Sequence, residues 1–494
     1  MKSLLNSIIT IVFSCLMLQG CMTTKSINQD LQNSASQAYN DWKQQKAKAD
    51  TMPSGKPVKP SKYKVSQQEL PVVKGKLNLT DAIKLALQYN RNIQTAIENK
   101  TYAHGRILQA YGGVVPTATV NGNFHHLDKV AEFDIGGRKF KAGALKTYTF
   151  ELHVQQPIIN GSAAAGLRAA KLYKALTNKQ VQNVSQNVLY GVEQSYYQLL
   201  LLQKQYNVNK QFLNYSKSSL KDVQNKAKFG TATHFNVLRA KVDVANAKTQ
   251  MIQSKNNLEQ AQAAFYNLMG VSQSSEVQLQ DSLVYNQLTT NEGKEVRLAL
   301  HNNPDLASSL LQVRLQRQNV LAGYSQYLPT VSAYLNQDYN NPNPHGSPFN
   351  PSDYYKFGYA WNAGLTLSWN IFNLNREGSI IQNKSQYRQQ EISYLNDKEQ
   401  ILYDVHSALL GIRNAAQSVN AQKMTLKQAQ EGLRLAQAGY RNGTLDQVSV
   451  LDSRQALRQA ELSYYNSIYQ HKVAHLKLLK ATGQLKAKAV KNEN

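Results

Sequence analysis

Residues 391–452 read EISYLNDKEQILYDVHSALLGIRNAAQSVNAQKMTLKQAQEGLRLAQAGYRNGTLDQVSVLD. Within them Val405, Ile412, Val419, Leu426, Leu433 and Tyr440 stand seven residues apart, and Ala408, Ala415, Ala429 and Ala436 fill a second track three places on. A seven-residue repeat held this long keeps one seam of a slightly underwound helix against a partner, as in a coiled coil. The pattern stops at Gly443 in Tyr440-Arg441-Asn442-Gly443-Thr444-Leu445-Asp446, and a new helical pattern begins at once. Glycine supplies the left-handed residue that ends a helix, and Thr444 or Asp446 can cap the next. The stretch is one very long helix, a tight turn and a return helix.

The design occurs once more, 213 residues earlier. Val192, Leu199, Tyr206, Leu213 and Leu220 hold the same register, and Phe229-Gly230-Thr231 supplies the same turn. Pro116 and Pro329, Leu152 and Leu365, Asn90 and Asn303, and Gly270 and Gly483 share the offset. The chain is an internal duplication.

Hydrophobic residues are 42% of the 494 residues, and the mean hydropathy of −0.49 excludes a polytopic helical membrane protein. There are 56 Lys+Arg against 31 Asp+Glu, a formal charge of +25. The basic residues are scattered along helices and tails rather than clustered, which argues against nucleic acid and toward anionic lipid headgroups or a cationic lumen.

At the start, Lys2 precedes an apolar run, Leu4 to Leu18, of signal-peptide length. It ends in Leu18-Gln19-Gly20-Cys21, which resembles a bacterial lipobox; that resemblance implies cleavage before Cys21 and acylation of it. Met22 follows where Asp would signal inner-membrane retention, so the resemblance favours the outer membrane. Several acyl chains anchor stably where one is marginal. Cys15 falls in the removed segment, so the mature chain forms no intramolecular disulfide.

Residues 1–20 thus read as a lipoprotein signal peptide and 21–76 as a lipidated Lys/Pro-rich tether. Residues 77–270 form the first repeat, 271–290 a connecting segment, 291–483 the second repeat and 484–494 a basic tail. In the first repeat a helix is expected from Leu79 to Tyr111, then strands Thr117–His125 and Thr147–Gln155 joined by a loop, His126 to Gly143. The second repeat offers Val331–Tyr339 and Phe357–Trp369. Tyr148, Phe150, Leu152 and Val154 alternate with Thr147, Thr149, Glu151, His153 and Gln155, the pattern of a membrane β-strand with one face to lipid. Trp361 and Trp369 share one face about 26 Å apart at ~3.3 Å per residue, placing them near the two membrane interfaces.

Four strands cannot close a barrel, and open edges have no partners in lipid. Several chains must therefore each contribute four. The long helices, Ala163–Lys228 and Gly378–Arg441, would span about 95–100 Å at ~1.5 Å per residue, giving an α+β membrane protein with a helical stalk.

The arrangement resembles the outer membrane efflux proteins, the family of TolC-type exit ducts. The residues carrying the likeness are Leu298-Ala299-Leu300 with Asn303-Pro304, Leu328-Pro329, Trp369-Asn370-Ile371-Phe372-Asn373 and Tyr440 through Arg454. Their first-half counterparts are Leu85-Ala86-Leu87, Val115-Pro116 and Gln156-Pro157-Ile158-Ile159-Asn160-Gly161. The resemblance implies a homotrimer sharing a twelve-stranded outer-membrane barrel above a periplasmic coiled-coil tunnel, closed at its tip like an iris. It also implies a periplasmic adaptor and an inner-membrane pump, of RND or ABC type, as partners. By the same resemblance Asp452 matches an acidic aperture position, Asn236 and Ser449 stand where the family often has Asp, and Leu445 stands where some members have a latching Arg. Phe229, Gly230 and Thr231, with Asn442, Gly443 and Thr444, become the adaptor-docking turns.

No P-loop, G-x-G-x-x-G, H-E-x-x-H or G-x-S-x-G occurs. His471 and His475 stand four apart, but Lys472 follows the first and no third ligand is near, so no metal is expected. No cofactor is expected either, and His125-His126 read as solvated. The leading expectation is a passive duct for drugs, small molecules or secreted protein. Its rivals are a lipid-anchored coiled-coil scaffold without a pore and, disfavoured by the missing chemistry, an enzyme. Drug efflux and type I secretion share the architecture and are not separated by the sequence.

Overall fold

The computed structural model describes residues 70–347 and 350–485. Cys21, the signal segment and nearly all of the tether lie outside the described residues, as do residues 486–494 of the tail. A short strand β1 (Lys74–Leu77) leads to helices α1 (Leu79–Tyr89) and α2 (Arg91–Tyr111). Strands β2 (Thr117–His126), β3 (Ala131–Ile135), β4 (Arg138–Ala142) and β5 (Lys146–Ile159) follow, then the long α3 (Gly161–Lys228) and α4 (His234–Met269). The second half runs β6 (Glu276–Leu279), α5 (Glu292–Asn302), α6 (Pro304–Ser325), β7 (Thr330–Asn341), α7 (Pro351–Tyr354), β8 (Gly358–Ser368), α8 (Leu374–Arg441) and α9 (Gln447–Ala481).

The duplication carries into three dimensions. α1 and α5, α2 and α6, β2 and β7, α3 and α8, and α4 and α9 each begin 213 residues apart. Both long helices have 68 residues, about 100 Å at ~1.5 Å per residue. Their cores correspond as well. Ala86, Ile93, Val192, Leu199 and Phe265 are buried together in the first repeat, and the offset places Ala299, Leu306, Val405, Ile412 and Leu478 together in the second. Each fully buried aliphatic or aromatic side chain contributes about 1.5–3 kcal/mol. Of the heptad positions that define the long helix, Val405, Ile412, Val419 and Leu433 are buried, with Ala408, Ala415 and Ala436 beside them.

Three expectations need correction. The helix expected over Leu79–Tyr111 is two helices. Asn90 has extended backbone (φ −66, ψ 122) and ends α1 while capping α2 through its side chain, which accepts from Asn92 and Ile93 N–H. The loop from His126 to Gly143 contains the β3–β4 hairpin; its turn is Gly136-Gly137, both at positive φ, as a two-residue hairpin turn of this hand requires. The strand total expected from the sequence, four, also omits a parallel pair. β1 pairs with β6 from Lys74↔Glu276 to Leu77↔Leu279, so segments assigned to the tether and the connector join the fold.

The four expected strands do form one antiparallel sheet, in the order β2-β5-β7-β8. The helices repeat that order. Next to the sheet, neighbours pack as α2-α3-α6-α8, each continuous in the chain with its own strand; beyond the middle they pack as α4-α3-α9-α8. One edge of the chain is therefore β2, α2 and α4, and the other is β8 and α8.

The middle, or waist, is closed twice by the same device. Asn90 Nδ2 donates to Leu268 O at 2.7 Å and Asn303 Nδ2 to Ala481 O at 2.9 Å. Gly270 (φ 73) and Gly483 (φ 65) press on the helix ends they meet: a Cβ would stand 2.4 Å from Tyr89 O and 2.5 Å from Asn302 O, respectively.

Candidate functional site

The chain offers two candidate functional regions, the sheet and the far tip. Cross-strand register sorts the sheet residues into two unlike faces. Val120↔Leu152, Leu335↔Ala363, Ala333↔Leu365 and Val331↔Leu367 pair on one face, and Thr119↔His153, Asn121↔Glu151, Glu151↔Asp338 and Asn336↔Asn362 on the other. The polar face is tied across strands by His153 Nδ1 with Asn336 Oδ1 (2.5 Å) and by Asn336 Nδ2 donating to Asn362 Oδ1 (3.0 Å). The apolar face lies open: Leu365 is 70% exposed, and Phe372, just past the sheet, 78%. Contiguous apolar surface on this scale marks a face that meets lipid or protein.

Aromatic side chains gather at the loop end of that face. Phe124 and Tyr148 lie 4.9 Å apart by ring centroids, Tyr148 and Phe357 6.2 Å, and Phe357 stacks on Tyr339 at 4.8 Å, so the row reaches across the strands. Trp361 stands exposed on the same face, opposite Gln337. Trp369 follows the last residue of β8 at the helix end, where its indole N–H donates to Tyr327 O at 2.9 Å. The sequence reading does not single out the aromatic row, though Phe124, Tyr148 and Tyr339 are apolar-face positions at strand ends.

Arg376 is absent from that reading altogether. Its guanidinium is buried where sheet meets helix. It donates to Asn370 O (2.8 Å) and Ile371 O (3.3 Å) and lies 3.8 Å from the Tyr327 ring centroid. The first repeat has Ala163 at this position, so the duplication gives no hint of it.

At the tip, Phe229 caps α3, and Gly230 (φ 74) lets Thr231 N–H reach Lys226 O at 2.9 Å, a Schellman-type closure. Asn442 caps α8, and beyond Gly443 (φ 73) Thr444 N–H reaches Gly439 O at 2.9 Å. Thr233 starts α4 and accepts from Asn236 N–H. Asp446, rather than Thr444, caps α9, accepting from Ser449 N–H at 2.9 Å and Ser449 Oγ at 2.6 Å. Those two bonds hold the Asp446 carboxyl below the usual carboxylate range. The two tips differ in character. Phe229 (83%) and Phe235 (69%) project into solvent beside the first turn. The offset puts Asn442 and Val448 in their places at the second turn, which carries no exposed ring.

Of the three residues expected at an aperture, Asp452 is exposed on α9, whereas Ser449 and Asn236 sit in first turns, engaged with Asp446 and Thr233. Asp243 on α4 joins them unannounced by the sequence. Burial pushes its carboxyl up, Arg239 pulls it down, and the charge of Asp452 adds to the rise. Arg239 and Asp452 are offset equivalents with opposite charge, so the duplication pattern disguises this cluster. Among the described residues no group of three or more His, Cys, Asp or Glu is placed to hold a metal ion. No described helix is long and apolar enough to cross a membrane.

Comparison with known proteins bears on the same two regions. A family profile described as outer membrane efflux protein matches residues 82–271 and 296–484. TolC of Salmonella enteritidis is 27% identical over 275 residues, covering 52% of this chain and 54% of that relative; the chain thus matches about half the length of that protein. The proteases secretion protein PrtF of Dickeya chrysanthemi is 22% identical over 404 residues, 79% of this chain and 83% of the relative. Among solved structures, the CmeC outer membrane channel of Campylobacter jejuni superposes with a TM-score of 0.70 at 16% identity, covering 82% of this chain and 85% of that one. With both repeats matched and the same fold in solved channels, the chain belongs to the outer membrane efflux protein family.

Proposed function

We propose that the chain is one protomer of an outer-membrane exit duct. It conducts its cargo passively from a periplasmic adaptor and inner-membrane pump to the exterior. One observation carries this reading: the protomer has two unlike edges, running in the same order through sheet and helices, and both sheet edges are unpaired. An edge strand in lipid leaves N–H and C=O groups unsatisfied at several kcal/mol each. Edge β2 of one copy against edge β8 of the next removes that cost, and such a heterologous contact generates a ring when its rotation closes. Three copies supply twelve strands, with the apolar face toward lipid and Thr, Asn, His, Glu and Asp toward the lumen. Trp361 and Trp369, with the aromatic row, would lie near the two membrane interfaces.

On this reading the helices form the periplasmic tunnel, acylated Cys21 holds each copy to outer-membrane lipid, and the turns at Gly230 and Gly443 receive the adaptor. Asp452, Asn236 and Ser449 are its aperture residues. The cargo is a drug, another small molecule or a secreted protein, according to the pump. Conductance of the purified, acylated protein in planar bilayers tests the duct, together with oligomers that survive heating on gels. A lipid-bound single chain without conductance would favour a scaffold instead.

A further inference from the structure

Toward the tip the first hairpin, α3–α4, is more basic than the second. Residues 210–255 hold nine lysines and arginines against two carboxylates, whereas the offset stretch, 423–468, holds six against four. The excess is gathered on one face. Lys210 and Lys217, and Lys221 and Lys228, stand seven apart on α3, and Lys241, Lys248 and Lys255 stand seven apart on α4. All seven are exposed. Residues seven apart share a helix face, so each row can be followed to the waist. Counting in sevens from Lys217 and Lys210 reaches Gln203, from Lys228 and Lys221 it reaches Asn207, and from Lys255 it reaches Gln262. Gln203 and Asn207 line a groove with Val277 and Leu279, and Gln262 lines another with Lys74 and Glu276. The lysines therefore lie on the side of the helices that β1 and β6 cover at the waist. On the duct reading this is the outer side, because β1, β6 and the connecting segment would obstruct a bore.

The seven are largely uncommitted. Among the described residues Lys255 alone of them forms an ion pair, with Glu259 at 3.4 Å, and Lys210 leans over the Tyr206 ring at 5.9 Å. Val237, Val244 and Met251 stand four places before the lysines of α4, hence beside them on the helix, and are half-buried. An apolar track edged by cations at seven-residue spacing suits a further helix, with apolar contact inside and complementary charge along the rim. The chain itself supplies no such helix. Over residues 423–441, α8 of another copy offers Lys423, Lys427, Arg434 and Arg441 against Glu431, which already holds Arg434. Residues 21–69 carry eight lysines against four carboxylates. Like charge excludes both as occupants.

We propose that the outer flank of α3–α4 docks an acidic amphipathic helix of a second protein, one helix per chain, alongside the hairpin rather than at the tip turns. That the flank faces outward rests on the duct reading above. Carboxylates seven residues apart on the partner stand about 10.5 Å apart at ~1.5 Å per residue, the spacing of the lysine rows. Its apolar stripe covers Val237, Val244 and Met251. The second hairpin lacks this face. The counterparts of Lys241, Lys248 and Lys255 are Arg454, engaged with the Tyr215 ring at 3.7 Å, Glu461 and Ile468. The two repeats thus present unlike flanks, and the partner tells them apart by charge.

The test uses the full-length, acylated protein in detergent and a synthetic helix with a leucine stripe flanked by glutamates at seven-residue intervals. Fluorescence anisotropy should show saturable binding at one helix per chain, and shuffling the peptide sequence should abolish it. The triple variant Lys241→Gln/Lys248→Gln/Lys255→Gln, exposed throughout and so without effect on folding, should weaken binding by about three- to hundredfold. Lys423→Gln/Lys427→Gln in the second repeat should leave it unchanged. Conductance in planar bilayers should persist with the helix bound. A triple variant that binds like wild type, an equal loss in the second-repeat variant, or a shuffled peptide that binds equally well would each overturn the site. Purified cell-wall sacculi that bind more tightly than the helix, and lose binding in the triple variant, would assign the lysines to wall polymer and overturn it too. A current blocked by the helix would put the lysines in the bore and do the same. A sample that binds the helix but passes no ions would refute the duct and keep the docking face; one that conducts without binding would do the reverse.

Discussion

The waist and the tip use glycines of nearly the same backbone conformation for opposite ends. Gly270 and Gly483 at the waist, and Gly230 and Gly443 at the tip, have φ between 65 and 74. At the waist a Cβ would strike the backbone carbonyl of Tyr89 or Asn302; at the tip nothing lies within 4 Å of it. The waist glycine is fixed by packing, whereas the tip glycine is fixed only by its turn and leaves its surroundings free. Carboxylates draw the same contrast. Burial at the waist pushes Glu193 up to about 7, whereas exposed Asp446 at the tip is held low by Ser449. The waist is where the duplicated chain is locked; the tip is where its surface is left for something else.

The sharpest way to break this contrast is to add one methyl group. Gly483→Ala should cost more than about 3 kcal/mol, combining left-handed strain with a clash against backbone. Gly443→Ala should cost about 1–2 kcal/mol, from strain alone. Thermal unfolding of the two variants measures the difference, and equal losses would erase the distinction.

Glu193 is the next lever. Its folded-state pKa is raised, so the native chain binds more protons than the unfolded one between the ordinary glutamate value and about 7. Stability from this group is therefore greatest at low pH and falls as pH rises through that window. Glu193→Gln should raise stability at pH 8 by up to about 3 kcal/mol and leave it nearly unchanged near pH 4. Asp446 has the opposite sign: its contribution to the start of α9 is present above its unfolded value and is lost as pH falls through its depressed one.

Asn303→Ala removes the cap of α6 and the bond to Ala481 O, and should cost about 1–2 kcal/mol; a loss as large as that of Gly483→Ala would misplace the waist lock. The smallest expected effect on assembly comes from Gly443→Pro. Proline cannot adopt the φ of this turn, but the turn is exposed and far from the sheet edges, so its shape changes while the oligomer stays intact on gels. Export should be abolished all the same. Unchanged drug tolerance and secretion in that variant would count against docking at the tip.

What can be read in advance follows from how local each feature is. The heptads of α8, the two tip turns and the alternating strands are periodic or contiguous, and the 213-residue offset shows through because equivalent positions keep their residues. Asn90 and Asn303, Gly270 and Gly483 are visible as pairs, but not as contacts: Asn90 meets Leu268, 178 residues away, and no periodicity encodes that closure. The split at Asn90 is hidden because the apolar spacing runs on through it; in the second repeat Pro304 marks the same break. Arg376 and Asp243 are illegible for another reason. Each takes its meaning from a ring or charge on a different element, and each has an alanine, Ala163 or Ala456, as its offset counterpart.

A closed, conducting ring made by joining unlike edges of identical chains is most directly tested by copy number. Light scattering on the acylated, detergent-purified protein measures it, and the same sample is then reconstituted in a planar bilayer. Three chains per particle and stepwise ion conductance are the predicted results. A particle of one chain, or a three-chain particle that passes no ions, would contradict the ring.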